Sequence, residues 1–284
     1  MLCRVLSLSA LLLNLAGCVS VPALAEKTAE PKTWYQNSCC AHAPSLAFAP
    51  HRLRCEGVAA EKTSLLVEAE RQFSEAVRQA RNAGGETKEA GQQVLCLSLI
   101  DTARVADTRG DLERAQERYA EAVKTCSASF GKDGEDAARA RIGLANVRID
   151  SGRVEEANAE LQALVETSRQ QQNKGLQAAA LDALGRAEDR RGEHSKARTL
   201  LKQALELRQQ VSGERSLDTA LTMMHLGDNA MLLHGWNDAR GWYLRAQAGI
   251  EESQGKRSHY YVSLKTALAA SYLRDRRYEA LPAL

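Results

Sequence analysis

Gly152-Arg153-Val154-Glu155-Glu156-Ala157 recurs upstream as Gly110-Asp111-Leu112-Glu113-Arg114-Ala115 and downstream as Gly192-Glu193-His194-Ser195-Lys196-Ala197. A fourth copy, His234-Gly235-Trp236-Asn237-Asp238-Ala239, keeps the closing alanine but shifts the glycine by one place. The four alanines stand 42, 40 and 42 residues apart. A second anchor lies twelve residues before each: Thr102-Ala103, Leu144-Ala145, Leu184-Gly185 and Leu226-Gly227, continued by Leu268-Ala269. Its spacings are 42, 40, 42 and 42. Two anchors holding one period mark an internal repeat, in which each unit cannot bury its apolar face alone and must stack on the next.

The residue types say what the unit is. The five prolines are Pro22, Pro31, Pro44, Pro50 and Pro282, so residues 51–281 contain none. Proline lacks an N–H and clashes with the preceding turn, so a long stretch without it is open to helix. The glycines at 110, 152 and 192 suit a tight turn between helices, where a positive φ is required. The small residues Ala103, Ala145, Gly185, Gly227 and Ala269 allow the first helix of a hairpin to lie close on the second. A helical glycine costs about 1 kcal/mol relative to alanine, so Gly185 and Gly227 point to places where even a methyl group crowds. Tyr119, Leu161, Leu201 and Tyr243 follow the anchor alanines by four residues and share their helical face.

The doubly anchored period resembles the tetratricopeptide repeat, in the long variant of about 42 residues seen in kinesin light chains and many bacterial proteins. Connecting segments Phe130-Gly131-Lys132-Asp133-Gly134, Val211-Ser212-Gly213-Glu214-Arg215 and Gln254-Gly255-Lys256-Arg257 match as well. The large aromatic expected near the start of each first helix is replaced by Leu99, Arg141, Leu181 and Met223. The resemblance covers residues 87–284, and a divergent leading helix is expected over 58–83, where Phe73-Ser74-Glu75-Ala76 echoes a second-helix start. It implies an all-α, right-handed solenoid of four to five antiparallel hairpins. The inner faces of the first helices then line a concave groove, with Arg104, Asn146, Arg186 and Asp228 at equivalent positions. Such a mixed ladder would grip an extended peptide, or simply keep the face soluble. The family's carboxylate clamp does not carry over, because Ile142, Ala183 and Leu221 occupy its places.

The N-terminus reads as an export signal. Arg4 precedes an apolar run from Val5 to Leu15, too short for a bilayer span and suited to secretion. Leu15-Ala16-Gly17-Cys18 resembles a bacterial lipobox, which implies an acylated Cys18 as first mature residue. Ala23-Leu24-Ala25 before Glu26 is a rival cleavage site that would give a soluble secreted chain. Val19 after the cysteine implies the outer membrane, facing the periplasm. The chain therefore divides into a signal over 1–17, a Cys- and Pro-containing tether or cap over 18–56, and a repeat domain over 57–284.

Export permits disulfides. Cys96 lies fourteen residues before Gly110 and Cys126 sixteen after it. At 1.5 Å per residue these are about 21 and 24 Å along antiparallel helices, the same open end of one hairpin, so a Cys96–Cys126 bridge is expected. Cys40 and Cys55, or Cys39 and Cys55, would close a loop that also holds His42 and His51. Those five side chains include soft metal-ligand types, but the spacing lacks a C-x-x-C or H-x-x-x-H pattern, so no metal is assigned.

No G-x-S-x-G, H-E-x-x-H, P-loop or dinucleotide-binding glycine pattern is present. His194, His225, His234 and His259 fall at turns or in different repeats. Neither catalysis nor a cofactor is expected. Lys plus Arg number 38 against 36 Asp plus Glu, a balance that argues against nucleic acid. The expected role is a binding scaffold for another envelope protein, with a ligand- or metal-binding N-terminal segment as the rival. The C-terminal third concentrates Met, Trp and Tyr, residues favoured at adaptable interfaces. Met224, Met231, Trp236 and Tyr272 are the candidates there, and Arg277-Tyr278-Glu279-Ala280 would begin an incomplete final hairpin. A partner protein or a second copy of the chain, forming a homodimer, is expected to cover that end.

Overall fold

The computed structural model describes residues 49–62, 65–85 and 88–276. Among them lie eleven helices: α1 (Ala49–Lys62), α2 (Leu66–Arg81), α3 (Lys88–Thr108), α4 (Leu112–Phe130), α5 (Glu135–Asp150), α6 (Val154–Gln170), α7 (Lys174–Arg190), α8 (His194–Ser212), α9 (Leu217–Leu232), α10 (Trp236–Gln254) and α11 (His259–Arg274). Consecutive helices pair as hairpins that stack into a tetratricopeptide-like solenoid. Each first helix also packs on the first helix of the next hairpin: α3 on α5, α5 on α7, α7 on α9 and α9 on α11. None of the described helices is long and apolar enough to cross a membrane.

The repeat frame maps onto backbone geometry. Gly110, Gly152 and Gly192 take φ of 79°, 81° and 84° at the turn inside each hairpin. Later copies fill the same left-handed slot with His234 (φ 58°) and Arg276 (φ 57°). The single 40-residue spacing arises after Gly152: α6 has 17 residues where α4, α8 and α10 have 19. Helix starts are capped by side chains at Asp111, Asn173, Ser216 and Ser258, each accepting from a backbone N–H three residues on.

The anchor alanines Ala115, Ala157, Ala197 and Ala239 are fully buried, as are Ala103 and Ala145. A methyl group on Gly227 would lie 2.3 Å from Tyr243 Cε1, and one on Gly185 would lie 2.7 Å from Leu201 Cγ. Both approaches are closer than carbon atoms tolerate. In the hairpin whose slot holds Ala103, Tyr119 also lies against Gly143 of the following hairpin. Cys96 in α3 and Cys126 in α4 are joined by a disulfide with a Cα–Cα distance of 5.2 Å, and both are fully buried.

Two boundaries differ from the sequence reading. The first described helix, α1, starts at Ala49, inside the segment read as a tether or cap over 18–56. Pro50 is compatible with this start, because a proline in the first turn gives up an N–H that has no intrahelical partner there. The segment expected as a single helix over 58–83 is the end of α1, a short link and α2. The expected signal over 1–17, with Cys18 and Cys40, lies outside the described residues.

Candidate functional site

The first helices jointly line one groove. Arg104 and Asp107 come from α3, Arg139, Ile142 and Asn146 from α5, and Asp182 and Arg186 from α7. Asp218, Leu221 and His225 of α9 and Tyr260 of α11 extend it, and Arg208 reaches in from α8. The lining is held in place by pairs that cross between repeats. Arg186 donates to Asn146 Oδ1 (3.1 Å) and to both oxygens of Asp150 (3.1 and 3.2 Å). His225 Nδ1 meets the Asp182 carboxylate at 2.9–3.1 Å. Arg208 donates to the backbone oxygen of Asp218.

These contacts set the charge states. Burial alone would raise Asp182, yet His225, Arg208 and Thr222 outweigh it and hold the carboxyl well below the usual range. Asp107 goes the other way: burial, and then the nearby charge of Asp150, push it up despite Arg186. The groove therefore offers a firmly ionised carboxylate at Asp182 of α7 and a carboxyl more easily protonated at Asp107 of α3.

Of the four ladder positions, Arg104, Asn146 and Arg186 line the groove. Arg104 also pairs with Glu61 and with Asp101 at 3.0 Å. Asp228 does not join that lining; it accepts the hydroxyl of Tyr243 at 2.7 Å, across its own hairpin. Three of the four C-terminal candidates lie together. Met224, Met231 and Tyr272 pack against the apolar cluster of α8–α11. Arg240 also lies over the Tyr272 ring, 5.0 Å from its centre. Trp236 sits edge-on to His234. The large apolar side chains exposed on α11 are Val262 and Leu273. Cys55 is buried in α1 with His51 Nδ1 3.8 Å from its sulfur, while Cys39, Cys40 and His42 lie outside the described residues. Among the described residues, no three His, Cys, Asp or Glu side chains are grouped to hold a metal ion.

Sequence reasoning missed the buried polar fasteners. Arg54 Nε donates to Asp101 Oδ2 at 2.6 Å, with both side chains nearly inaccessible. Glu188 is buried and accepts from Asn158 (2.9 Å), Lys196 (2.6 Å) and Arg191 (3.0 Å). Burial opposes its charge, but those three donors keep its carboxyl lowered. Arg240 bonds Asp275 at 2.7 Å and the carbonyl of Ser271 at 3.2 Å. Charges buried this deeply need partners, but the sequence does not say which residues will be buried.

Residues 136–210 match the family model described as tetratricopeptide repeat. That span takes in most of α5 through α8. Solved structures share the fold at low identity. BtubC (BKLC) from P. vanneervenii is 18% identical with a TM-score of 0.56, covering 77% of this chain and 87% of that one. A thermophilic TPR protein from Thermus thermophilus is 19% identical with a TM-score of 0.52, covering 79% and 100%. NprR in complex with its cognate peptide NprX is 15% identical with a TM-score of 0.62, covering 82% and 64%. No curated protein sequence matches the chain.

Proposed function

We propose that this tetratricopeptide stack is a non-catalytic scaffold whose groove holds an extended segment of a protein partner. The observation that carries this reading is the continuity of the groove, lined without a break from α3 to α11 by side chains pinned between repeats. An extended chain needs donors and acceptors at regular intervals, and the repeat supplies them. That NprR was solved with its cognate peptide supports the choice of a peptide. Photo-crosslinking tests it, with a benzophenone side chain placed at Leu221 in the groove or at exposed Lys202 on α8. One discrete crosslinked protein from Leu221, lost when Arg186 and Arg208 are both changed to Ala, is the expected result. Equal yield from Lys202 would remove the groove from consideration.

The setting we propose is the bacterial envelope, with Cys18 lipidated and the repeats facing the periplasm. Support comes from the lipobox-like Leu15-Ala16-Gly17-Cys18 and from a buried Cys96–Cys126 disulfide, which suits an oxidising compartment. Labelled palmitate should enter the wild-type chain and not Cys18→Ala, and the variant should leave the membrane fraction. Labelling of Cys18→Ala would sink the anchor.

A further inference from the structure

Most charged groups in the groove already serve the fold. Asp182 and Arg186 are tied across repeats, and Arg139 pairs with Glu135 and Asp136. Asp218 has no ion pair among the described residues, but it lies in the first turn of α9, where a helix N-terminus stabilises a carboxylate. Asp107 is the exception. It is half-buried in the groove, and among the described residues its carboxyl has neither an ion pair nor a hydrogen bond. Its charge is disfavoured from three directions. It is the last residue but one of α3, whose final turn holds no basic residue, and a helix C-terminus disfavours an anion. Burial penalises it, and the carboxylate of Asp150 acts on it more strongly than the guanidinium of Arg186 does. The arginines nearest in sequence turn elsewhere: Arg104 to Glu61 and Asp101, Arg109 to Glu70.

A carboxylate in such surroundings is a strong acceptor for a cation that enters the groove. A metal ion would need more ligands than it finds there. Asp150 is already held by Arg186 and Arg190, and among the described residues no third His, Cys, Asp or Glu joins the two aspartates. A Lys or Arg side chain needs one carboxylate only, and its apolar stem can lie along Tyr119 and Gly143, which line the same groove. We infer that Asp107 receives a Lys or Arg side chain of the bound segment, and so selects a basic residue at one position of the partner. This inference rests on the reading of the groove as a peptide site.

A random twelve-residue peptide library displayed on phage, selected on the immobilised full chain, tests it. Groove-dependent peptides are those that lose binding when Arg186 and Arg208 are both changed to Ala, and they should share a Lys or Arg at one position. Replacing that residue by norleucine should weaken binding to the wild type about tenfold, or about 1.4 kcal/mol, in fluorescence anisotropy. The same replacement should change binding to Asp107→Asn by less than about twofold. Selection on Asp107→Lys should enrich Asp or Glu at that position instead, which a misfolded variant cannot do. Asp107→Asn should unfold at or above the wild-type temperature near about pH 7, because the fold loses an unfavourable charge. A marked fall would assign the carboxylate to the fold and overturn the inference. Groove-dependent peptides without a shared basic residue, or an equal norleucine penalty with Asp107→Asn, would overturn it and leave the groove standing. Recovery of no groove-dependent peptide would remove the peptide reading itself, and this inference with it.

Discussion

The α3–α4 and α9–α10 hairpins occupy the same register of the repeat and are fastened by different means. In α9–α10 the slot residue is Gly227, and Tyr243 lies directly over it with its hydroxyl bonded to Asp228. In α3–α4 the slot holds Ala103, and the Tyr119 ring lies against Gly143 of the next hairpin. A disulfide then ties the open end of α3–α4. The frame fixes where two helices cross, while the fastener is free to be an aromatic side chain, a covalent bond or, at Glu188, a buried carboxylate with three donors. A stack of this kind is a sum of local stabilities and neighbour terms, so each fastener should be felt mainly in its own hairpin.

The largest expected effect is at Tyr243. Tyr243→Ala should cost about 3–5 kcal/mol, and Tyr243→Phe about 1 kcal/mol for the hydroxyl bond to Asp228. Hydrogen exchange should place both losses in α9–α10; equal deprotection of α3–α4 would break the comparison. Removing the crosslink with Cys96→Ala and Cys126→Ala comes next, at about 3 kcal/mol for residues 30 apart in sequence. Denaturant unfolding of the wild type with and without reductant measures the same quantity independently.

A smaller effect follows from Asp182. Its folded carboxyl is depressed below the unfolded value of about 4. Its contribution is therefore present above about pH 4 and is lost as pH falls through the folded value. Asp182→Asn should remove that acid-side loss of stability, and a titration curve parallel to wild type would argue against the pairing with His225. The smallest change is a gain: His234→Gly should relieve the left-handed turn by about 1 kcal/mol, read as a rise in the melting temperature. Gly152→Ala at the equivalent turn should do the reverse.

The fold was legible because the period is carried by small residues whose size is dictated locally: a positive φ at Gly152, a ring over Gly227. The hairpin staple was legible too, since helix rise converts sequence distance into position. The start of α1 was not, because Ala49–Lys62 falls outside the repeat frame that located the other helices. The site was only partly readable. Arg186 and Asn146 follow from register alone, whereas Asp228 stands at the equivalent position and is drawn away by Tyr243. Pairings such as Arg54 with Asp101, His225 with Asp182 and Asn158 with Glu188 span 30 to 47 residues. No local pattern announces them; they exist only once neighbouring helices are stacked.

The left-handed turn slot has a thermodynamic corollary for binding. Glycine fills it at 110, 152 and 192, but His234 and Arg276 fill it toward the other end, where a side chain raises the cost of the turn. Local opening should therefore require least free energy around α10 and α11. A ligand that reaches Tyr260 at the α11 end of the groove favours the closed form and gains less affinity than its contacts alone would give. By the same linkage, any change that pre-closes the turn, His234→Gly included, should tighten docking at a surface it never touches.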